Sequence, residues 1–237
     1  VLDDIERVEV LRGSNSAAYG ANAFSGVVNV VTRNAADVPK ATVSLSLGEA
    51  GIADRGVRLA FGDPEFAMRV TAARSGDNGF YNVLDDKRVD QLHFRGDLRP
   101  ALSDELSFSL GSVAHAWGVT TQSRMEHWRS AYAQGSWLRR LGEDDNLRVS
   151  ASFDEEKFVD QVFSLTALNL PFRADGTGRR LSLEAEHSLR LGTGIRLVWG
   201  GQLRHEELDA PDIFTTSATQ SAEMMRSATG VTVIGSP

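Results

Sequence analysis

From residue 40 onward, the sequence alternates apolar and polar residues with a period of two. The stretch "TVSLSLG" places valine and leucine on one side and threonine and serine on the other, and the same pattern returns in "GVRLAFGD", "FAMRVTAAR", "QLHFRGDL", "LSFSLG", "LRVSASFD" and "RLSLEAEHSLRL". Strict alternation is typical of a strand with one apolar and one polar face. The pattern predicts an all-β chain in which about nine strands, and a possible tenth, form an antiparallel meander. The segment "AYAQGSWL" is expected to be a strand whose two faces the pattern leaves ambiguous.

The connections between these strands alternate in length. The expected short ones are residues 62–65, 99–105, 142–146 and 192–194, and the expected long ones are 48–54, 76–87, 118–127, 155–178 and 207–226. Short turns at one end of a meander and longer loops at the other are typical of outer-membrane barrels. This asymmetry favours a transmembrane barrel over a soluble all-β domain.

The two faces then have different surroundings. In a soluble barrel the leucines and phenylalanines would fill the core, whereas in a large membrane barrel they meet lipid and the polar face lines a wet lumen. We expect the lipid-facing set to include Leu45, Leu59, Phe61, Met68, Phe94, Phe108, Leu183 and Leu197. We expect the lumen-facing set to include Thr42, Ser44, Arg58, Arg69, His93, Ser107, Glu184 and Arg204.

Composition narrows the functional classes. The net charge of −7 argues against a nucleic-acid-binding protein, and the absence of cysteine excludes disulfides and thiolate metal sites. No apolar run approaches the length of a membrane helix, and no catalytic or nucleotide-binding motif is present. We therefore expect no catalytic residue, no metal site, no cofactor and no enzymatic activity.

The first 33 residues differ from the rest. The segment "IERVEVLRGSNSAAYGANAFSGVVNVVTR" reads as a strand, a glycine-rich loop and a second strand. About 30 residues cannot bury a core of their own, so this unit needs surrounding walls. A barrel lumen supplies such walls, and its carboxylates can pair with Arg7 and Arg12.

This segment resembles the end of the plug domain of TonB-dependent outer-membrane receptors. The resemblance rests on "IERVEVLRG", on Tyr19-Gly20, on Gly26 and on the closing "VVNVVTR". It implies that residues 1–36 end a plug, that residues 37–237 begin a barrel of about 22 strands, and that the chain is a piece of a longer protein. The plug motif would comprise Arg7, Arg12, Gly13, Tyr19, Gly20 and Gly26.

The resemblance also implies a role for Arg12 in holding plug and barrel together. For its partners on the barrel wall we consider Glu184 and Glu186.

The same resemblance implies a function. Members of this family import scarce nutrients such as ferric siderophores, haem or cobalamin across the outer membrane of Gram-negative bacteria. Their expected partners are the inner-membrane TonB complex, outer-membrane lipid and a small metal chelate or similar ligand, and not nucleic acid. The alternatives are a porin-like passive channel and a soluble all-β binding domain.

A few further residues invite two interpretations. His127 is a possible ligand residue in a loop, but the interpretation as an ordinary polar loop residue is favoured. Asp85 and Asp86 are expected to belong to a solvated turn rather than to a calcium site. The aromatic residues near strand ends are expected to form membrane-interface girdles rather than a ligand cage. These residues are Phe80, Tyr81, Trp117 and Trp128.

Overall fold

The computed structural model describes residues 2–13, 25–119, 124–163, 171–192, 195–209 and 221–235. A small sheet contains the antiparallel strands β1 (Ile5–Arg12) and β2 (Gly26–Thr32). A large sheet of ten strands follows, in the order β3 to β12. Its strands are β3 (Ala41–Leu47), β4 (Ala53–Gly62), β5 (Phe66–Asp77), β6 (Lys87–Ala101), β7 (Asp104–Val119), β8 (Arg124–Arg140), β9 (Asn146–Phe163), β10 (Pro171–Arg190), β11 (Ile195–Asp209) and β12 (Ser221–Gly235).

Each strand of the large sheet pairs antiparallel with its neighbours in sequence, which confirms the predicted meander. The first two strands, β1 and β2, are not added to it but form their own sheet, as predicted for the plug segment. Short 3₁₀ turns span Leu2–Asp4, Ala35–Asp37 and Glu49–Gly51. In the described part of the chain, no helix has both the length and the apolar character needed to cross a membrane.

The register of the large sheet sorts its side chains onto two faces, because directly paired residues share a face. Phe61 pairs with Met68, which pairs with Gly96 and then Phe108, whereas Arg58 pairs with Thr71 and then His93. Followed from β3 to β11, the register confirms that the predicted lipid-facing and lumen-facing sets lie on opposite faces. We call the apolar side the outer face and the polar side the inner face.

The register also resolves the ambiguous segment in β8. Tyr132, Gln134 and Ser136 lie on the inner face, and Ala133 and Trp137 lie on the outer face. The outer positions here include alanine and glycine, which carry little hydrophobic signal, so alternation alone left the two faces undecided.

The prediction of long loops at residues 118–127 and 155–178 is wrong in extent. Strand β7 continues to Val119 and β8 begins at Arg124, while β9 continues to Phe163 and β10 begins at Pro171. Alternation fades in these stretches because both faces become charged. Glu155 on the outer face forms ion pairs with Lys157 and Arg179, and its neighbour Glu156 lies on the inner face.

These long strands exceed the 9–11 or so residues that a tilted strand needs to cross a bilayer. Strands β8, β9 and β10 contain 17, 18 and 20 residues. The outer-face ion pairs around Glu155 therefore mark where the apolar band ends and the strands continue beyond it.

Three residues lie where the sequence did not predict them. Trp117 and Trp128 lie on the inner face, so the prediction that they belong to a lipid-facing girdle is wrong. His127 lies within β8 on the outer face and not in a loop. Asp85 is half-buried in the loop between β5 and β6, where its Oδ1 accepts a hydrogen bond from the Phe80 amide at 2.8 Å.

The two faces predict different tolerances to charge. In the full-length protein, Leu183→Arg on the outer face should lower the free energy of unfolding by about 2–4 kcal/mol, because the charge would enter lipid. The matched control Ser182→Arg, one residue earlier on the inner face, should cost much less. Denaturant titration in lipid vesicles measures both, and equal losses would contradict the assignment of the faces.

Candidate functional site

The two sheets are joined by a buried carboxylate at the start of the chain. Asp4 ends the first 3₁₀ turn, immediately before β1, and is 2% exposed. Its Oδ1 accepts a hydrogen bond from Nε of Arg58 at 2.7 Å, and Nε of Arg69 lies 3.7 Å from the same oxygen. Nδ1 of His93 lies 3.6 Å from Oδ2. We call this cluster, with the adjacent Thr71, the Asp4 junction.

Three neighbouring strands supply the wall side of the Asp4 junction. Arg58 in β4 pairs with Thr71 in β5, which pairs with His93 in β6, so their side chains project side by side from the inner face. Arg69 is fully buried, and Arg58 is 8% exposed. Buried guanidinium groups need a counter-charge, and Asp4 supplies it from the turn that precedes the small sheet.

The pKa of Asp4 reflects this environment. Burial by itself raises the pKa of the carboxyl, but the contact with His93 and the positive charges of Arg69 and Arg58 outweigh it. The net result holds the pKa of Asp4 well below its usual range. The carboxyl is therefore ionised at any physiological pH.

The segment that leaves the small sheet is attached at the same place. Nη1 of Arg95 donates hydrogen bonds to the carbonyl oxygen of Thr32 at 3.2 Å and to its hydroxyl at 2.5 Å. Nη1 of Arg69 donates to the carbonyl oxygen of Arg33 at 3.0 Å. The Arg33 amide in turn donates to the Asp4 carbonyl oxygen at 2.9 Å. The start of β1 and the end of β2 thus meet the large sheet at one point.

A second carboxylate completes this attachment. Asp97 in β6 accepts two hydrogen bonds from Arg95, at 2.8 and 2.9 Å, which fixes the guanidinium plane. Oδ2 of Asp97 also accepts a hydrogen bond from the Ala35 amide at 2.9 Å. Asp97 therefore orients Arg95 and holds the segment that leads to β3.

Several polar atoms of the Asp4 junction are buried without a hydrogen-bond partner among the described residues. They are Oδ2 of Asp4, Nε of Arg69 and Oγ1 of Thr71. Opposite charges in an environment of low dielectric, more than ideal hydrogen-bond geometry, hold these groups together.

The sequence-predicted residues lie elsewhere. Arg7 in β1 is exposed and pairs with its own neighbours Glu6 and Glu9, at 2.8 and 2.7 Å. Arg12 ends β1 and is exposed, and no ion pair in the described part of the chain joins it to Glu184 or Glu186. Glu184 and Glu186 lie on the inner face of β10. The pairing of Arg12 with either of them stays a prediction.

The glycines of the motif flank the loop. Gly13 and Gly26 have φ angles of 96° and 153°, and a Cβ at Gly26 would lie 2.7 Å from the Leu11 carbonyl oxygen. Only glycine fits such a close approach without strain. Tyr19 and Gly20 lie outside the described residues.

Sequence reasoning missed Asp4. It assigned the cation to the plug and the carboxylate to the wall, whereas the structure does the reverse at this junction. One signal was available, because Arg58, Arg69 and Arg95 all fall on the polar phase of three consecutive strands. Such a group of arginines requires an anion from another part of the chain.

Beyond the Asp4 junction, the inner face is a polar groove of about 390 Å³ across β6 to β11. Short hydroxyl side chains dominate it, and the Ser107 and Ser136 hydroxyls hydrogen-bond at 2.9 Å. Charged groups of both signs line its edges, among them Arg95, Asp154 and Glu184. This surface suits a hydrated contact with another polar body rather than a dry core.

Comparisons with known proteins agree with this geometry. The family model for the TonB-dependent receptor plug domain matches residues 1–27. The vitamin B12 transporter BtuB of Photobacterium profundum is 34% identical over 97% of the chain. The chain belongs to the TonB-dependent receptor family. It spans 38% of the length of that relative.

A further relative is similar in sequence, and a solved structure is similar in fold. The vitamin B12 transporter BtuB of Vibrio cholerae is 24% identical over 68% of the chain, which spans 26% of that protein's length. The ferric-catecholate import receptor Fiu of E. coli has the same fold, with a TM-score of 0.74 at 12% identity. That match covers 97% of this chain and 46% of Fiu. In the architecture of this family, the large sheet corresponds to part of the barrel wall and the small sheet corresponds to the end of the plug.

The Asp4 junction predicts a strong and selective mutational effect. In the full-length receptor, Asp4→Asn should weaken attachment of the plug end by about 3–5 kcal/mol, because it leaves Arg58 and Arg69 buried without their counter-charge. Hydrogen exchange of the β1–β2 segment measures the opening free energy. The exposed neighbour Asp3 provides the control, since Asp3→Asn should change the opening free energy little. Equal losses for Asp4→Asn and Asp3→Asn would contradict an attachment through the Asp4 junction.

The lowered pKa of Asp4 sets the pH dependence of this attachment. Because the folded-state pKa lies below the unfolded value of about 4, ionised Asp4 contributes its full stability above that pH and loses it as pH falls further. The difference in opening free energy between the wild-type receptor and Asp4→Asn should therefore stay constant from about pH 7 to 5 and shrink below about pH 4. A difference that disappears already near pH 6 would rule out this role.

Proposed function

We propose that the full protein is an outer-membrane transporter that imports a scarce nutrient with energy from the inner-membrane TonB complex. The observation that carries this proposal is the attachment of a small plug sheet to the polar face of a barrel wall through the Asp4 junction. A passive channel needs no such body inside it. The apolar outer face is suited to lipid, which supports a location in the outer membrane of a Gram-negative bacterium.

We assign residues 1–36 to the end of the plug and residues 37–237 to the first part of the barrel. Strand β2 ends at Thr32 and β3 begins at Ala41, which supports a boundary within the connecting segment, where Arg95 and Asp97 hold Thr32 and Ala35. The two domains are thus joined both by the chain and by buried charge.

The Asp4 junction suggests how the plug moves during transport. Its charges are buried, so separating them from one another is costly. The remaining part of β1 and β2 is largely exposed and carries surface ion pairs such as Arg7 with Glu9, which stabilise little because water screens the charges. Force applied to the plug would therefore rearrange the segment beyond the junction first, while the end of the plug stays attached to the wall.

The substrate class we propose is a metal chelate or a similar bulky nutrient. The relatives named above include vitamin B12 transporters and a ferric-catecholate import receptor. Ferric siderophores, haem and cobalamin all fit this class. In this account the residues in the plug motif, including Arg12, act in plug positioning and not in catalysis.

Uptake by cells tests the proposal. A strain that lacks its own receptors for these nutrients should take up at least one of them when the full-length gene is expressed. Uptake should disappear when TonB is absent, because the plug then stays in place. Uptake that is independent of TonB would identify a passive channel and overturn the proposal.

A further inference from the structure

A row of charged side chains crosses the outer face at one end of the apolar band. Direct cross-strand pairs link its positions from β4 to β9, in the order Arg55, Arg74, Asp90, Ala114, Arg129 and Lys157. The next row toward the short turns carries no charge from β4 to β8, where it contains Val57, Ala72, Leu92, Ser112 and Ala131. We call the charged row, from position 55 to position 157, the outer basic row.

Two cross-strand pairs in the outer basic row bring like charges together. Arg55 lies directly opposite Arg74, and Arg129 lies directly opposite Lys157. Like charges in such positions repel each other and destabilise a sheet. Glu155 lies 3.0 Å from Lys157, but it also pairs with a second cation. Folding of the sheet therefore does not explain this row, and an anion from outside the chain would relieve the repulsion.

The carboxylate within the row cannot compensate all of its cations. Asp90 is in ion-pair contact with Arg74, and Nε of Arg88 lies 3.3 Å from its Oδ2. One negative charge is thus shared by two guanidinium groups. Arg55 and Arg129 are exposed and form no ion pair within the ranges that the structure describes. The surface around Asp90 keeps an excess of positive charge.

An open hollow lies beside the outer basic row on the same face. It has a volume of about 600 Å³, and its apolar lining includes Val43, Leu45, Val57, Ala72 and Leu92. Small side chains create it, since Ala72, Ser112 and Ala114 leave space between larger neighbours. Arg55 and Arg74 also line it, so the hollow and the row are continuous. We call this space the outer-face hollow.

The place of this surface in the wall selects the kind of partner. Arg55 lies near the start of β4 and Arg74 near the end of β5, so both belong to the end of the wall that carries the longer loops. In a barrel of the outer membrane, this end faces the cell exterior. The edge of the apolar band is the level at which lipid head groups meet the protein. A lipid of the outer leaflet therefore presents its phosphate to the row and its acyl chain to the hollow.

We propose that the outer basic row binds the phosphate of an outer-leaflet lipid whose acyl chain lies in the outer-face hollow. This inference rests on the proposed location in the outer membrane, and it adds a specific lipid site on the outside of the wall. Arginine suits this role because its planar guanidinium donates two parallel hydrogen bonds to phosphate oxygens. Arg55 and Arg74 supply such donors on one side of Asp90, and Arg129 supplies them on the other.

Native mass spectrometry of the purified full-length receptor in nonionic detergent tests this inference. The probes are diphosphorylated lipid A, the same lipid without its phosphates, and inorganic phosphate. Arg55→Gln and Arg129→Gln each remove one charge. Arg139→Gln is their matched control, because Arg139 is exposed on the same face at the short-turn end.

A second pair of variants tests the outer-face hollow separately from the charges. Ala72→Leu fills the hollow without a change of charge. Ala131→Leu is its control, because Ala131 is an exposed alanine of the same uncharged row that lies outside the hollow. Retained heat-modifiable migration in gel electrophoresis would show that each variant is folded.

We expect the diphosphorylated lipid to bind more tightly than the lipid without phosphate. Arg55→Gln and Arg129→Gln should each weaken its binding by about fivefold, the contribution typical of one basic residue at an anionic lipid surface. Ala72→Leu should also weaken it, whereas Arg139→Gln and Ala131→Leu should leave it unchanged.

Four results would overturn the inference. The first is equal affinity for the lipids with and without phosphate, and the second is an equal loss for Arg55→Gln and Arg139→Gln. The third is complete displacement of the lipid by inorganic phosphate with no effect of Ala72→Leu, which would identify a site for a free anion. The fourth is a dimer of the receptor in place of a lipid adduct, which would identify the surface as a contact between copies.

The uptake measurement separates failure of this inference from failure of the proposed function. TonB-dependent uptake without phosphate-selective lipid binding would overturn the lipid site and leave the import function in place. Phosphate-selective binding that responds to Arg55→Gln, together with uptake that is independent of TonB, would overturn the import function and leave the lipid site in place.

Discussion

A ten-stranded sheet with one apolar and one polar face is the constraint on which the rest of this structure depends. Neither face is stable alone in a single solvent, because the apolar face needs lipid and the polar face needs water or charged partners. The register keeps the two faces separate from β3 to β11. A plug on the polar side and a membrane on the apolar side satisfy both requirements at once.

The Asp4 junction shows how the plug meets this wall. Three strands bring Arg58, Arg69 and His93 together, and a single carboxylate at the start of the chain compensates them. A buried pair of this kind contributes less to net stability than to specificity, since it penalises any arrangement in which one partner is absent. The junction therefore fixes where the plug end lies, while the weaker surface contacts of β1 and β2 leave the remainder able to rearrange.

The sequence was sufficient for the fold and insufficient for the site, for physical reasons. Alternation identified strands and faces wherever one side was apolar, and failed near Glu155 and Glu156, where both sides are charged. The resemblance of residues 5–33 located the plug, but no local pattern distinguishes Asp4, which becomes buried, from Asp3, which stays exposed. That difference depends on contacts across more than 50 residues of chain, as between Asp4 and Arg58. The girdle interpretation of Trp117 and Trp128 was wrong because strand ends carry aromatic residues on either face, and only the register decides which.

A double-mutant cycle between Asp4 and Arg58 tests the central claim most directly. The opening free energy of the β1–β2 segment would be measured by hydrogen exchange in the full-length receptor for Asp4→Asn, Arg58→Met and the double variant. Buried charges in direct contact should give a coupling energy of about 1–3 kcal/mol, with the double variant less impaired than the sum of the single ones. Additive effects within about 0.3 kcal/mol would show that the two groups do not act on each other and would contradict a plug attached to the barrel wall through Asp4.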